Sequence, residues 1–403
     1  MIKITDKQNC CGCSACKSIC PKHCITMQED EEGFLYPQID LDICIDCKLC
    51  EKVCPVQNIL QGKGIESIYT ICSKDRENLI ESASGGSFIP LAEYVIDKGG
   101  VVFGAAYDNN MLLKHQYAES KHEIKKFRGS KYIQSDIDDS FNKVKLFLKK
   151  GRIVLFSGTP CQVQGLYNFL RNTNIDNLIT LDFVCHGVPS PKVFKKYIKY
   201  IENKYKAKVK DYKFRTKKFG YTGCSYNYSY SFLSNGKRIW ADNEDKYAQF
   251  MTKSFFAEMT SRPSCSKCAF KSKNHISDFM VFDCWHWKQL SNKIDGNMGA
   301  TTMIINTLKG KMVFNEIKNH YIYESSNIET AIKLDGISML YSIPANRKRN
   351  DFFHSLDRMT IPQLYEKYLE SKGLAKVKEQ IKVILDKYKI LNHIRNLKYK
   401  FIK

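Results

Sequence analysis

Between Cys10 and Pro55 the chain states one cysteine run twice: Cys10-x-x-Cys13-x-x-Cys16-x-x-x-Cys20-Pro21 and, 34 residues on, Cys44-x-x-Cys47-x-x-Cys50-x-x-x-Cys54-Pro55. Three thiolates at two-residue intervals can bind three irons of one cubane as the loop curls around it. The fourth cysteine, held off by its proline, is released to the other cluster. The spacing therefore assigns Cys10, Cys13, Cys16 and Cys54 to one [4Fe-4S] cluster, and Cys44, Cys47, Cys50 and Cys20 to a second. Cys11 and Cys24 fall outside this frame and are expected to pack near the clusters.

The paired run resembles the two-cluster bacterial ferredoxin module, with every ligand position filled. A zinc knuckle uses two C-x-x-C pairs and has no use for a third cysteine and a Cys-Pro. Disulfides are disfavoured because the chain opens Met-Ile-Lys-Ile-Thr-Asp without an apolar signal segment, which makes a reducing cytosol the expected compartment. Glu29 to Pro37, with Gly33 after four acids, reads as the β-hairpin between the two runs.

The 403 residues, 43% of them apolar, suffice for two or three domains with a real core. No apolar run approaches the length of a bilayer span. Residues 1–60 hold six Lys against nine Asp or Glu, a net of −3, which leaves +24 for the rest of the chain. A basic body beside an acidic module suits anionic ligands such as nucleotides and flavin phosphates, or an acidic protein donor. Nucleic acid is not expected, since no recognised motif accompanies the charge.

Residues 58–66 read as a linker. A strand is expected at Ile68 to Cys72, a helix from Ser87-Phe88 to about Asp97 behind Gly85-Gly86, and a buried strand at Val101 to Tyr107. Glycines before a helix free backbone N–H groups for an anion. Phe127 to Ser135 is a polar, basic loop in which Arg128 and Lys131 flank Gly129-Ser130, a set suited to pyrophosphate or carboxylate, though a solvated loop reads alike. Two strand-turn-helix units follow, Arg152 to Phe156 ending in Ser157-Gly158-Thr159-Pro160-Cys161, and Leu178 to Val184 ending in Cys185-His186-Gly187. Their alternation predicts a mostly parallel sheet whose strand ends face a ligand. Residues 211–240 alternate aromatic and polar positions and end at Asn235-Gly236, a hairpin in which Tyr221, Tyr226 and Tyr228 line a pocket or pack in the core. The last 29 residues hold nine Lys or Arg against two acids, with apolar positions at helical spacing. Peripheral contact with an anionic membrane and docking on protein both fit such a tail.

Cys161, Cys185, Cys265 and Cys268 form a third set. Four thiolates hold a [4Fe-4S] cluster or a structural zinc, and Cys265-x-x-Cys268 alone would also make a reactive dithiol. The spacing does not separate these; a chain that imports electrons through two clusters gains from a third and gains nothing electronic from zinc. Cys72, Cys224 and Cys284 are expected as buried thiols.

Taken in order, Ser84-Gly85-Gly86, Val102-Phe103-Gly104, Phe127-Arg128-Gly129-Ser130-Lys131-Tyr132, Ser157-Gly158-Thr159-Pro160-Cys161-Gln162, Cys185-His186-Gly187-Val188-Pro189-Ser190 and Cys265-x-x-Cys268 resemble the coenzyme F420 hydrogenase/dehydrogenase beta-subunit family. The resemblance covers roughly residues 66–310. It implies FAD in the central domain, a [4Fe-4S] cluster beside it held by the four cysteines, and flavin or substrate contacts from Gly85, Gly86, Arg128, Ser130, Lys131 and Thr159. One departure is Phe282-Asp283-Cys284-Trp285, where the family tends to show Gly-Asp before the Trp. His186 reads either as a proton donor or as a turn residue beside Gly187.

The expected fold is α+β: a ferredoxin-like two-cluster domain at 1–60, an α/β flavin domain with a mostly parallel sheet at 66–310, and a helical basic C-terminal region at 311–403. Clusters carry one electron each and a flavin one or two, so a flavin is the converter such a chain needs. The expected activity is a cytoplasmic flavin-dependent iron-sulfur oxidoreductase with Lys131 and His186 as catalytic candidates, a small anionic substrate, and a ferredoxin-like protein or larger redox complex as partner. The rival is a non-catalytic electron-transfer subunit of such a complex.

Overall fold

The computed structural model describes residues 1–217, 220–221, 229–234, 237–241, 247–371, 373–374 and 381. The predicted sites at Cys224, Tyr226, Tyr228, the Asn235-Gly236 turn and the basic tail from 375 (apart from Ile381) lie outside them.

The paired cysteine runs fold alike. Gly12 and Ser14 in the first take left-handed φ of 70° and 60°, and Asp46 and Lys48, each 34 positions on, take 48° and 60°. Each left-handed pair wraps the loop inward and leads into one short helix, Ala15–Ile19 or Leu49–Lys52, that carries the third cysteine of its run. Between the runs β1 (Ile25–Glu29) and β2 (Leu35–Ile39) pair antiparallel with Ile25 opposite Ile39. Asp30 closes their turn by accepting from the Glu32 and Phe34 amides at 3.1 and 2.9 Å. The hairpin read from the sequence is therefore present.

The body is an eight-stranded mixed sheet. Its strands are β3 (Ser67–Ser73), β4 (Val101–Tyr107), β5 (Leu113–Ala118), β6 (Val154–Ser157), β7 (Leu178–Phe183), β11 (Phe279–Asp283), β12 (Thr301–Ile305) and β13 (Tyr321–Ser325), in the order β13-β3-β12-β11-β7-β6-β4-β5. The four central strands β11, β7, β6 and β4 pair parallel. β3 runs in their direction, and β5, β12 and β13 run against it. Alternation sorts the apolar residues: Leu155 faces one layer, with the helices Phe88–Asp97 and Leu308–Ile317. Val154 and Phe156 face the other, with the helices Ser140–Lys149 and Pro160–Leu170. The sheet continues beyond residue 310, where the sequence reading ends its middle domain, because β13 pairs with β3.

A small sheet of β8 (Val209–Lys213), β9 (Ser229–Ser234) and β10 (Lys237–Ala241) follows, with Ser234 opposite Lys237. The helices Pro191–Tyr205, Phe250–Phe256, Arg349–Leu356 and Ile361–Tyr368 share one core with Phe34 and Tyr36 of the hairpin. The cysteine module is thereby packed into the body. Residues 58–62 are also fastened to it, Gln164 exchanging two hydrogen bonds with the Leu60 backbone. Among the described residues no helix is long and apolar enough to cross a membrane.

Candidate functional site

The cysteines gather as the spacing groups them. One cavity is lined by Cys10, Cys13, Cys16 and Cys54, with Cys11 beside them. Another is lined by Cys20, Cys44, Cys47 and Cys50, with Cys24 beside them. The fourth cysteine of each run thus reaches across to the other run, and both extra cysteines sit at the cavity walls. Both sets fit a cubane, because the left-handed turns direct the loop around the cavity and Ile2 N donates to Cys50 Sγ at 3.3 Å.

The third set also shares one cavity, of about 140 Å³, lined by Cys161, Cys185, Cys265 and Cys268. Its assembly follows from topology. Cys161 stands in the first turn of Pro160–Leu170, whose N-cap Thr159 and Gln162 form a capping box. Cys185 follows the neighbouring strand β7. The segment carrying Cys265 and Cys268 is tied to that loop by Arg262 N donating to Val188 O at 3.0 Å and Ser190 N to Thr260 O at 2.9 Å. Burial, then the neighbouring thiols, push the Cys185 thiol well up, and burial lifts Cys265 to about 12. That is the reverse of a reactive dithiol, whose thiol is lowered. Arg262, Lys267 and Lys271 line the same cavity and supply the positive charge that four thiolates around a cluster require. Four thiols around one cavity are a donor set that suits a cluster and a structural zinc alike.

Cys11 spans two sites, its thiol interacting with Cys13 on one side and Cys161 on the other. Buried Arg262 spans the same junction. Its guanidinium donates to Cys10 O at 2.7 Å, Gln134 Oε1 at 3.0 Å and Leu35 O at 3.0 Å, and lies 4.1 Å from the Tyr36 ring centroid. Gly12 is required here: a Cβ would meet Arg262 Nη1 at 2.7 Å.

Next to the third cavity, over the carboxyl ends of the parallel strands, lies a cleft of about 460 Å³. The two share Cys161, Cys185, His186 and Gly187 as wall. The cleft is lined by Gly86, Arg128, Ser130, Lys131, Thr159 and His186, so six of the seven candidate contacts converge. Gly85 stands just behind, its N–H donated to Thr301 Oγ1 at 2.7 Å. Lys131 Nζ donates to the Phe127 and Arg128 carbonyls at 3.2 and 2.9 Å and so braces its own loop, with its ammonium lowered by burial to about 8.

Three further features of the cleft were not read from the sequence, and Tyr221, read there as a pocket or core residue, joins them by packing on a residue of the cleft wall. His186 Nε2 is in close contact with the carboxylate of Glu258, a residue in left-handed conformation after Phe250–Phe256, and no local pattern announced that partner. Arg215 forks onto Asp283 at 2.7 and 3.2 Å, beneath Trp285. Tyr221 stacks on Trp285 with centroids 4.4 Å apart. Asp283 and Trp285 stood in the segment that departs from the family pattern, and both line the cleft. His115 lies on the cleft wall, Nε2 3.0 Å from Ser157 O and Nδ1 2.9 Å from Ser135 Oγ.

Residues 151–331 match the family described as coenzyme F420 hydrogenase/dehydrogenase, C terminus of the beta subunit, and residues 9–58 match the 4Fe-4S dicluster domain. Among solved structures the chain is similar to one from the xenon-derivatized F420-reducing [NiFe] hydrogenase complex of Methanosarcina barkeri. Identity is 17% and the TM-score 0.43, over 75% of this chain and 91% of that one. No curated protein matches.

Proposed function

We propose that the chain, whose residues 151–331 match the coenzyme F420 hydrogenase/dehydrogenase beta-subunit family and whose residues 9–58 match a 4Fe-4S dicluster domain, is a flavin-dependent iron-sulfur oxidoreductase. In this reading electrons pass between a redox protein and a small anionic substrate by way of the dicluster domain, a third [4Fe-4S] cluster on Cys161, Cys185, Cys265 and Cys268, and FAD in the cleft. The observation that carries it is the sequence of shared walls. The Cys10–Cys54 cavity meets the third cavity at Cys11, and the third cavity meets the cleft at Cys161, Cys185 and His186.

FAD, when bound, supplies the exchange between one- and two-electron steps. The chain's own residues do the rest. Arg128 presents a fork and the loop braced by Lys131 a positive rim to a phosphate or carboxylate. Gly86 lets the backbone come close. His186 stands where the cysteine cavity opens into the cleft, its ring packed edge-on to Phe255 at 5.0 Å and oriented by the contact of Nε2 with the Glu258 carboxylate.

Anaerobic purification with iron, acid-labile sulfide, zinc and flavin measured per chain tests this. About twelve irons with one FAD are expected, falling to about eight in Cys265→Ser/Cys268→Ser. Eight irons with zinc in the parent protein would remove the third cluster. Eight irons with no flavin after reconstitution would leave a non-catalytic electron-transfer subunit. The same preparation, reduced and offered coenzyme F420, reports by bleaching whether that cofactor is the substrate.

A further inference from the structure

The loop between β2 and the helix Leu49–Lys52 exposes three aliphatic side chains, Leu41, Ile43 and Ile45, at 64, 48 and 58%. They flank Cys44 and Cys47, and Cys47 is the exposed cysteine of the eight in the paired runs. Single exposed apolar residues are ordinary, but three within five positions around a redox centre mark a contact surface. Acidic residues alternate with them. Asp46 is held by the Met1 amine at 2.9 Å and by Lys48 at 3.0 Å. Asp40 and Asp42 carry no ion pair among the described residues; the Asp40 carboxylate accepts from the Asp42 amide at 3.0 Å.

The surface also lies at the far end of the redox path. The cavity of Cys20, Cys44, Cys47 and Cys50 shares no lining residue with the third cavity or the cleft. We propose that residues 40–48 are the docking surface for a redox protein that presents a basic rim around an apolar patch over its own cofactor. The carboxylates of Asp40 and Asp42 around an aliphatic centre complement that charge and repel an acidic ferredoxin or flavodoxin. The small extent of the surface suits the weak, short-lived encounters of electron-transfer proteins. The inference rests on the dicluster domain and is independent of the third cluster and of FAD.

Stopped-flow oxidation of the reduced full-length protein by cytochrome c, whose rim is basic, and by an acidic flavodoxin tests it, each rate being compared between variant and parent. Asp40→Lys/Asp42→Lys is expected to slow the reaction with cytochrome c about tenfold at low salt, to speed that with flavodoxin, and to weaken the salt dependence of the first. Leu41→Ser/Ile43→Ser, at two exposed positions outside the cluster cavity, is expected to slow both. Oxidation by benzyl viologen, a small mediator, and iron content should stay at the parent's values; a cytochrome c rate that falls only in step with them would overturn the proposal. Cytochrome c rates unmoved by both variants would also overturn it. So would a concentration-dependent dimer that Leu41→Ser/Ile43→Ser abolishes, because a second copy would then be the occupant.

Discussion

His115 shows how one side chain on the cleft wall sets a pH limit. Its Nε2–H donates to Ser157 O, its Nδ1 accepts from Ser135, and Gln162 Nε2 donates in turn to Ser135 Oγ at 3.0 Å, so the imidazole is satisfied only when neutral. Burial lowers it from 6.5 to about 4. The unfolded chain therefore binds a proton that the folded chain refuses between those values. Stability from this group is full above the unfolded value and falls with pH, its loss complete below the folded one. Between about pH 7.5 and about pH 5.5 the loss amounts to about 1.4 kcal/mol. Anaerobic urea unfolding of the parent and of His115→Gln should show that difference in slope, and parallel profiles would contradict it. Nothing in the sequence marked this histidine. Its neighbours Lys114 and Gln116 form no motif, and its partners come from another strand end and a remote loop.

The hairpin β1–β2 is the element that fixes the cysteine module to the body. Buried Arg349 donates from Nη1 and Nη2 to the two Glu32 oxygens at 2.7 and 2.5 Å, and from Nε to Ser261 O at 3.1 Å. Ser190 Oγ donates to the Glu32 carbonyl from the start of Pro191–Tyr205. Removing one partner of such a pair leaves the other charge buried without compensation. Arg349→Met is expected to cost about 3 kcal/mol, more than Glu32→Gln, which keeps a neutral acceptor in place. Hydrogen exchange should rise in residues 25–39 first, and a uniform change across the chain would argue against a local clamp. The hairpin itself was legible because an acidic turn with glycine between apolar pairs is a local signal. The clamp was not, since its partners are 317 positions apart. The same distinction separates β4, β6 and β7, read from short apolar runs bounded by glycine, from β5 and β13, whose alternating polar residues (Lys114, Gln116, Glu324) hide their place in the sheet.

At the scale of the molecule, the paired cysteine runs differ from the sheet in what holds them together. The buried core around the Cys20–Cys50 cavity consists of Ile2, Ile25 and five cysteines, Cys16, Cys20, Cys24, Cys50 and Cys54. Burial lifts the Cys16 thiol to about 12, so without iron this group is a neutral thiol. The central sheet has Val101, Phe103, Val154, Phe156 and Leu178 fully buried. Ligand binding free energy is folding free energy for the first and not for the second. That is why the repeat spacing made the module readable at once, whereas the sheet had to be assembled from pieces. Anaerobic chelation of iron is therefore expected to unfold residues 1–58 while β4, β6 and β7 keep their hydrogen-exchange protection. The loss should not stop at the module's edge. Cys11, Cys13, Ala15 and Val53 are part of the core beneath Pro160–Leu170, where a Cβ on Gly165 would meet Cys13 Sγ at 2.9 Å. The first turns of that helix, Cys161 included, should gain partial exchange, and the cavity beside the cleft should loosen with them. Mass-resolved exchange of the chelated protein decides this. Protection in residues 160–166 as full as in β6 would mean that the cysteine cavity beside the cleft stands without the module, and that the two are independent in folding.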